Sequence, residues 1–96
     1  MNQRDAYVEK MKAKLDEWNA DIEVLEAKAE NASAEARTRY EAQVRDMRKQ
    51  RNQFEEKLKD VRHGGDAALD ELRQGLDQAA STLGDSLKRA KDEILH

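Results

Sequence analysis

Apolar residues in the first two thirds of the chain recur at alternating intervals of three and four. This spacing is typical of the a and d positions of a coiled-coil heptad, where one helix face packs against another helix. After Ala36 the steps become four, four and three, an 11-residue unit that locally relaxes a left-handed supercoil. The pattern predicts one long helix over residues 5–62. Its interaction seam comprises Val8, Met11, Leu15, Trp18, Ile22, Leu25, Ala29, Ala32, Ala36, Tyr40, Val44, Met47, Phe54, Leu58 and Val61.

The strongest stop signal in the chain lies at residues 63–66, where two glycines precede Asp66. We expect Gly64 to take the left-handed conformation that ends many helices and Asp66 to cap the next one. Beyond this turn the apolar spacing is close to eleven, which keeps a stripe nearly straight along a helix. The pattern predicts an antiparallel second helix over residues 67–95. Its stripe comprises Leu69, Leu72, Leu76, Leu83, Leu87 and Ile94.

These two helices differ in length, so part of the seam needs another cover. At about 1.5 Å per residue, the second helix reaches back only to about residue 34, which leaves the half from Val8 to Leu25 uncovered. An antiparallel homodimer crossing near Ala34 would cover it and form a three-helix bundle at each end. The alternatives are a parallel coiled coil and a monomeric three-helix bundle that turns near residues 31–33. Because no Gly or Pro stands there, we expect a continuous helix and a homodimer.

The composition supports a single all-α domain over residues 1–96. The chain has 41% charged residues, no Pro and no Cys, and a net charge of −3 with the two signs interleaved. The absence of Cys excludes disulfides and thiolate metal sites, and the interleaved charges do not favour a nucleic-acid partner. An apolar signal segment and an apolar run of membrane-spanning length are both missing, so we expect a cytoplasmic protein.

No residue pattern for catalysis, cofactor binding or metal binding is present. Acid–base pairs need burial in a cleft, whereas the carboxylates here fall on the outer faces of helices. His63 stands at the turn and His96 ends the chain, without acidic neighbours at metal-ligand spacing. Arg51 occupies an a position, where its stem can pack while its guanidinium either snorkels to solvent or reaches an acid on a neighbouring helix and sets the register. The sequence thus favours a non-enzymatic protein without a cofactor.

Three segments carry a resemblance to a known family: residues 6–11 (AYVEKM), 15–20 (LDEWNA) and 25–30 (LEAKAE). Together with Tyr40-Glu41 and the Leu-rich tail, they resemble small bacterial coiled-coil domain proteins that have no assigned reaction. The resemblance implies a bacterial origin and a helical rod, and it transfers no site residues. We expect a structural or interaction protein that self-associates through its seam, with a further protein partner possible.

An alternative function rests on the second helix. Its 11-residue repeat with Gly75 and Gly84 resembles the lipid-binding helices of exchangeable apolipoproteins and the helices of desiccation-protective proteins. Helices of this kind bury an apolar stripe in the headgroup region of a membrane. This resemblance implies a stress-related protein that binds a membrane surface or client proteins, although the helix is acidic in its first half and has no aromatic residue.

Overall fold

The computed structural model describes residues 2–95, and nearly all of them are helical. Helix α1 spans Gln3–Glu30, and a second helical segment spans Ala34–Ile94. Gly65 divides that segment into α2, residues 34–64, and α3, residues 66–94, because its backbone angles, φ 79° and ψ −165°, are not helical. The predicted all-α class is confirmed. Met1 and His96, which the predicted domain included, lie outside the described residues.

The three helices form an up-down-up bundle. Trp18 on α1 contacts Phe54 on α2, and the Tyr40 hydroxyl on α2 donates to the Glu93 carbonyl on α3, so each neighbour in sequence runs antiparallel. The bundle measures 48 × 19 × 17 Å, close to the ~42 Å expected for a 28-residue helix with its partners alongside. The predicted antiparallel packing of the last helix is confirmed.

The continuous helix predicted over residues 5–62 is wrong, because α1 ends at Glu30 and α2 begins at Ala34. At the end of α1 the Asn31 N–H donates to the Lys28 carbonyl at 3.2 Å, which tightens the last turn. At the start of α2 the Ser33 Oγ accepts from the Ala36 N–H at 3.4 Å as an N-cap. Polar caps therefore turn the chain without Gly or Pro, and burial of the α1 stripe on α2 and α3 favours the turn.

The second turn is shorter than expected and uses a different glycine. Gly65, rather than Gly64, has the positive φ, and Asp66 already has helical backbone angles instead of acting as the N-cap. Gly64 is needed for space, since a Cβ built there would lie 2.6 Å from the Cβ of Ala68. Both glycines therefore allow α2 and α3 to reverse direction through a single non-helical residue.

The predicted seam and stripe together form the core of the bundle. Every predicted position is buried except Ala32, Ala36, Tyr40 and Leu72, which are half-buried. The half of the seam from Val8 to Leu25, which the predicted homodimer would cover with a second chain, is covered by α2 and α3 of the same chain. This is the arrangement of the alternative three-helix bundle that turns near residues 31–33. Tyr7 is also buried, and it belonged to neither the predicted seam nor the predicted stripe.

Candidate interaction surface

Polar contacts at the rim of the core fix the position of α1 against α2. The Arg51 guanidinium donates to the Asn19 Oδ1 at 2.7 Å, and Arg48 forms an ion pair with Glu26. Arg51 thus reaches α1, where its partner is an amide oxygen rather than the acid that the register-setting interpretation named. These contacts at two heights define one register between the two helices.

Two further contacts fix α1 against α3. The Tyr7 hydroxyl donates to the Asp77 Oδ1 at 2.7 Å, and the Lys91 ammonium lies 2.8 Å from the Asp21 carboxylate. Burial and the hydrogen bond to negatively charged Asp77 raise the pKa of Tyr7 above its ordinary value, while the nearby Arg73 opposes this shift. Tyr7 therefore keeps its hydroxyl proton to higher pH when α1 is packed against α3 than when it is exposed to solvent.

Polar side chains of the described residues lie at the rims of the bundle rather than in its core. Within residues 2–95 there is no buried polar or charged side chain and no group of three or more His, Cys, Asp or Glu residues placed to hold a metal ion. The grooves between helices are shallow and open to solvent. In the part of the chain that the structure describes, every helix is too short or too polar to cross a bilayer. A partner could therefore bind on the exposed outer faces of the three helices.

The outward face of α1 carries a second apolar row that the sequence analysis did not identify. With Val8 as heptad position a, every f position of α1 is alanine, and all four alanines are exposed. Val24, at a c position beside this row, is 50% exposed and is one of two large hydrophobic residues so exposed among residues 2–95. We call this surface the outward α1 face, defined by Ala6, Ala13, Ala20, Val24 and Ala27.

A row of carboxylates borders the outward α1 face on the side toward α2. Every b position from the second turn onward is acidic, and all four residues are exposed: Glu9, Asp16, Glu23 and Glu30. The three helices also differ in charge, since α1 carries eight acidic and five basic residues while α2 carries six and nine. The outward α1 face is therefore a narrow apolar ridge beside a strip of negative charge.

This surface could have been found from the sequence by following a second repeat. The apolar seam occupies positions a and d of the heptads, whereas the exposed repeat occupies positions b and f of the same heptads. Alanine at f can serve helix propensity alone, so the repeat becomes informative only when its acidic neighbours recur with the same period of seven. The contrast with α2 is useful, because its outward face has no comparable alanine row.

Comparison with known proteins places the first two helices in a family. A family model described as "Vesicle transport v-SNARE protein N-terminus" matches residues 1–62, which contain α1 and nearly all of α2. No curated protein and no solved structure matches the chain. The match supports a helical, coiled-coil-like protein-interaction role rather than an enzymatic one, and it provides no support for the bacterial origin implied by the earlier resemblance. The match covers well over half of the sequence, so the chain belongs to the family of vesicle transport v-SNARE protein N-termini.

Proposed function

We propose that this chain is a non-enzymatic interaction domain that binds a helix of a partner protein on its outward α1 face. The observation that carries the proposal is the coincidence of two exposed repeats with a period of seven, alanine at f and an acid at b. A helix that is apolar on two opposite faces has more to bury than one bundle can cover. The core takes one face of α1 and leaves the other for a partner.

Small side chains determine how a partner would approach. Alanine at every f position lets a second helix lie at the close end of the usual interaxial range, about 8 Å. Val24 would then lose its solvent exposure and become the largest apolar contact of the interface. The ridge therefore suits a helix that presents its own small or branched apolar residues at alternating intervals of three and four.

Charge determines what should flank the seam of that partner helix. The b-position row from Glu9 to Glu30 would lie beside one edge of the bound helix. Lysine or arginine on that edge would complete ion pairs, whereas acidic residues would be repelled. The occupant we propose is accordingly an amphipathic helix with a basic edge, and its binding should weaken as salt concentration rises.

The earlier expectations for self-association and membrane binding now meet the same obstacle. The Val8 to Val61 seam and the stripe of α3 lie in the core, so neither reaches a partner or a membrane unless the helices separate. The membrane alternative has no exposed apolar stripe on α3 to support it. Self-association through the seam requires α1 to leave its own bundle. Such a movement would take place at residues 31–33, which connect α1 to α2.

A synthetic helix can test the outward α1 face directly. The probe is an amphipathic peptide as long as α1, with Ala and Leu at a and d and Lys at e and g, whose own charges oppose its self-association. Its counterpart carries Glu in place of Lys. We expect only the basic peptide to bind, with NMR shift changes confined to the outward α1 face and to the acidic row from Glu9 to Glu30 beside it.

Matched variants separate this surface from the rest of the bundle. Ala20→Gln places a bulky neutral side chain on the ridge and should weaken binding about tenfold or more through overpacking. Ala42→Gln makes the same change at an exposed position of α2 and should leave affinity unchanged. Equal binding of both peptides, or equal effects of both substitutions, would refute the proposal.

A further inference from the structure

We propose that α1 exchanges between two copies of this chain: it leaves its own α2 and α3 and packs identically on those of the second copy. In this domain-swapped dimer, residues 31–33 become helical and join α1 to α2 in one continuous helix. The proposal does not rest on peptide binding at the outward α1 face, because α1 buries the same core residues in both states. The partner is a second copy of the same chain.

Of the two hinge residues that flank Ala32, Asn31 lies near helical geometry and Ser33 is extended. Asn31 has φ −94° and ψ 2°, and Ser33 has φ −59° and ψ 157°, so Ser33 needs mainly a rotation of ψ to become helical. Within residues 2–95 only Gly65 has a positive φ, so no hinge residue has to leave the left-handed region. Residues 27–36 contain neither Gly nor Pro and consist mainly of helix-forming residues.

Hydrogen bonding at the hinge differs little between the two states. In the hairpin, the Ser33 side chain caps Ala36 at 3.4 Å, and the Asn31 side-chain amide donates to the Ala27 carbonyl at 3.0 Å. A continuous helix would replace these bonds with backbone bonds from the N–H groups of residues 34–36 to the carbonyls of residues 30–32. Because the local bonds are closely matched, protein concentration should decide which state is populated.

Contacts of α1 with the other helices would all form again in the swapped dimer. Asn19–Arg51, Tyr7–Asp77 and the Trp18–Phe54 ring pair join residues at least 32 positions apart, and none involves the hinge. Exchange of an identical element between protomers costs few contacts for this reason. Each pair would simply connect two copies instead of two helices of one chain.

The residues around the crossing point suit two close backbones. Ala29 is buried and Ala32 and Ala36 are half-buried, so small side chains alone occupy the seam where two long helices would pass. A continuous helix over residues 3–64 would be about 93 Å long at ~1.5 Å per residue. The single-chain bundle is only 48 Å long, so the two states differ about twofold in length.

Two hinge variants should shift the equilibrium in opposite directions. Ser33→Ala removes the N-cap of α2 from the hairpin and improves a continuous helix, which should favour the swapped state about fivefold per hinge and lower the dimer dissociation constant about 25-fold. Ala34→Pro does the reverse. In the hairpin, proline suits the first position of α2, and Ser33 already has the extended angles preferred before proline. In a continuous helix the same proline would lie in the helix interior, which should disfavour the swapped state by more than about a hundredfold per chain.

Sedimentation equilibrium and small-angle X-ray scattering on the full chain test the proposal. We expect a dimer with a maximum dimension near 93 Å that grows with concentration, dominates in Ser33→Ala and disappears in Ala34→Pro. Ser81→Ala, an exposed position in α3, is the matched control and should behave as wild type. Circular dichroism should show that Ala34→Pro keeps the helix content of wild type, so that loss of its dimer is not caused by unfolding.

Three results would overturn the exchange. A dimer no longer than the single bundle would be a side-by-side pair, and dimerisation of Ala34→Pro equal to wild type would remove the hinge from the mechanism. Ser33→Ala that stays monomeric up to its solubility limit would show that the hinge does not open. Loss of binding to the basic peptide would refute the proposed function alone, since none of these measurements involves that peptide.

Discussion

The four glycines of this chain should divide into two pairs with opposite effects when each is replaced by alanine. Gly75 and Gly84 lie inside α3, and a Cβ built at either meets nothing within 4 Å. Alanine there should stabilise the fold by about 0.5–1 kcal/mol, because glycine has a larger loss of backbone entropy on entering a helix. The two positions are about 13 Å apart along the axis, so the double variant should gain about 1–2 kcal/mol.

Substitution at the α2–α3 turn should have the opposite sign. Gly65 has φ 79° and ψ −165°, a region that is open essentially only to glycine and costs other residues about 1–3 kcal/mol. At Gly64 the new methyl group would lie 2.6 Å from the Ala68 Cβ, so the backbone of the turn must shift. Both variants should be less stable than wild type, although the same substitution stabilises α3.

Denaturant unfolding followed by far-ultraviolet circular dichroism measures all four effects on one scale. The Gly75→Ala/Gly84→Ala double variant should also melt higher, by about 4–8 °C for each kcal/mol in a domain of this size. Equal denaturant slopes would show that the change lies in stability rather than in the surface exposed on unfolding. A destabilised double variant, or a neutral Gly65→Ala, would refute the reasoning.

Two neighbouring residues and one tyrosine give further tests. Leu25 is completely buried and Val24 is 50% exposed, so Leu25→Ala should cost about 2–5 kcal/mol in denaturant unfolding while Val24→Ala stays within about 0.5 kcal/mol. Equal losses would contradict the assigned face of α1. Because the folded pKa of Tyr7 is raised above its ordinary 10.0, its contribution to the unfolding free energy should be full below pH 10 and fall as pH rises above it. Tyr7→Phe should reduce this alkaline loss and the Tyr40→Phe control should not; equal alkaline slopes in both variants would contradict the assignment.

Heptad and 11-residue spacing predicted the core because burial follows helical periodicity directly. Ile22, Leu25 and Leu76 are all at most 1% exposed, and each was assigned from spacing alone. Tyr7 was missed because it sits at a g position, where burial depends on the neighbouring α3 and on Asp77, which lies 70 residues away. Spacing within one helix contains no information about such a contact.

The outward α1 face shows a different limit of sequence analysis. Its residues are visible in the sequence, but alanine is also the best helix former, so propensity and interaction predict the same residue. The heptad already places the f positions opposite the seam, and the bundle adds that Val24, at a c position beside them, is 50% exposed. The acidic row from Glu9 to Glu30 likewise becomes interpretable as part of a binding surface because its residues lie exposed beside the exposed alanines.

The break at residues 31–33 was predicted from the sequence only as the alternative to a continuous helix, because two states of nearly equal local stability compete there. The caps from Asn31 and Ser33 each contribute on the order of 1 kcal/mol, and continued helix would return backbone hydrogen bonds of similar value. Burial of the stripe from Val8 to Leu25 does not decide between the two states, because both a monomer and a swapped dimer provide it. When the core is satisfied either way, the choice between them depends on the entropy of association and hence on concentration. Under the proposed exchange, the turn at residues 31–33 that lets the chain cover its own seam would also let α1 pack on a second copy.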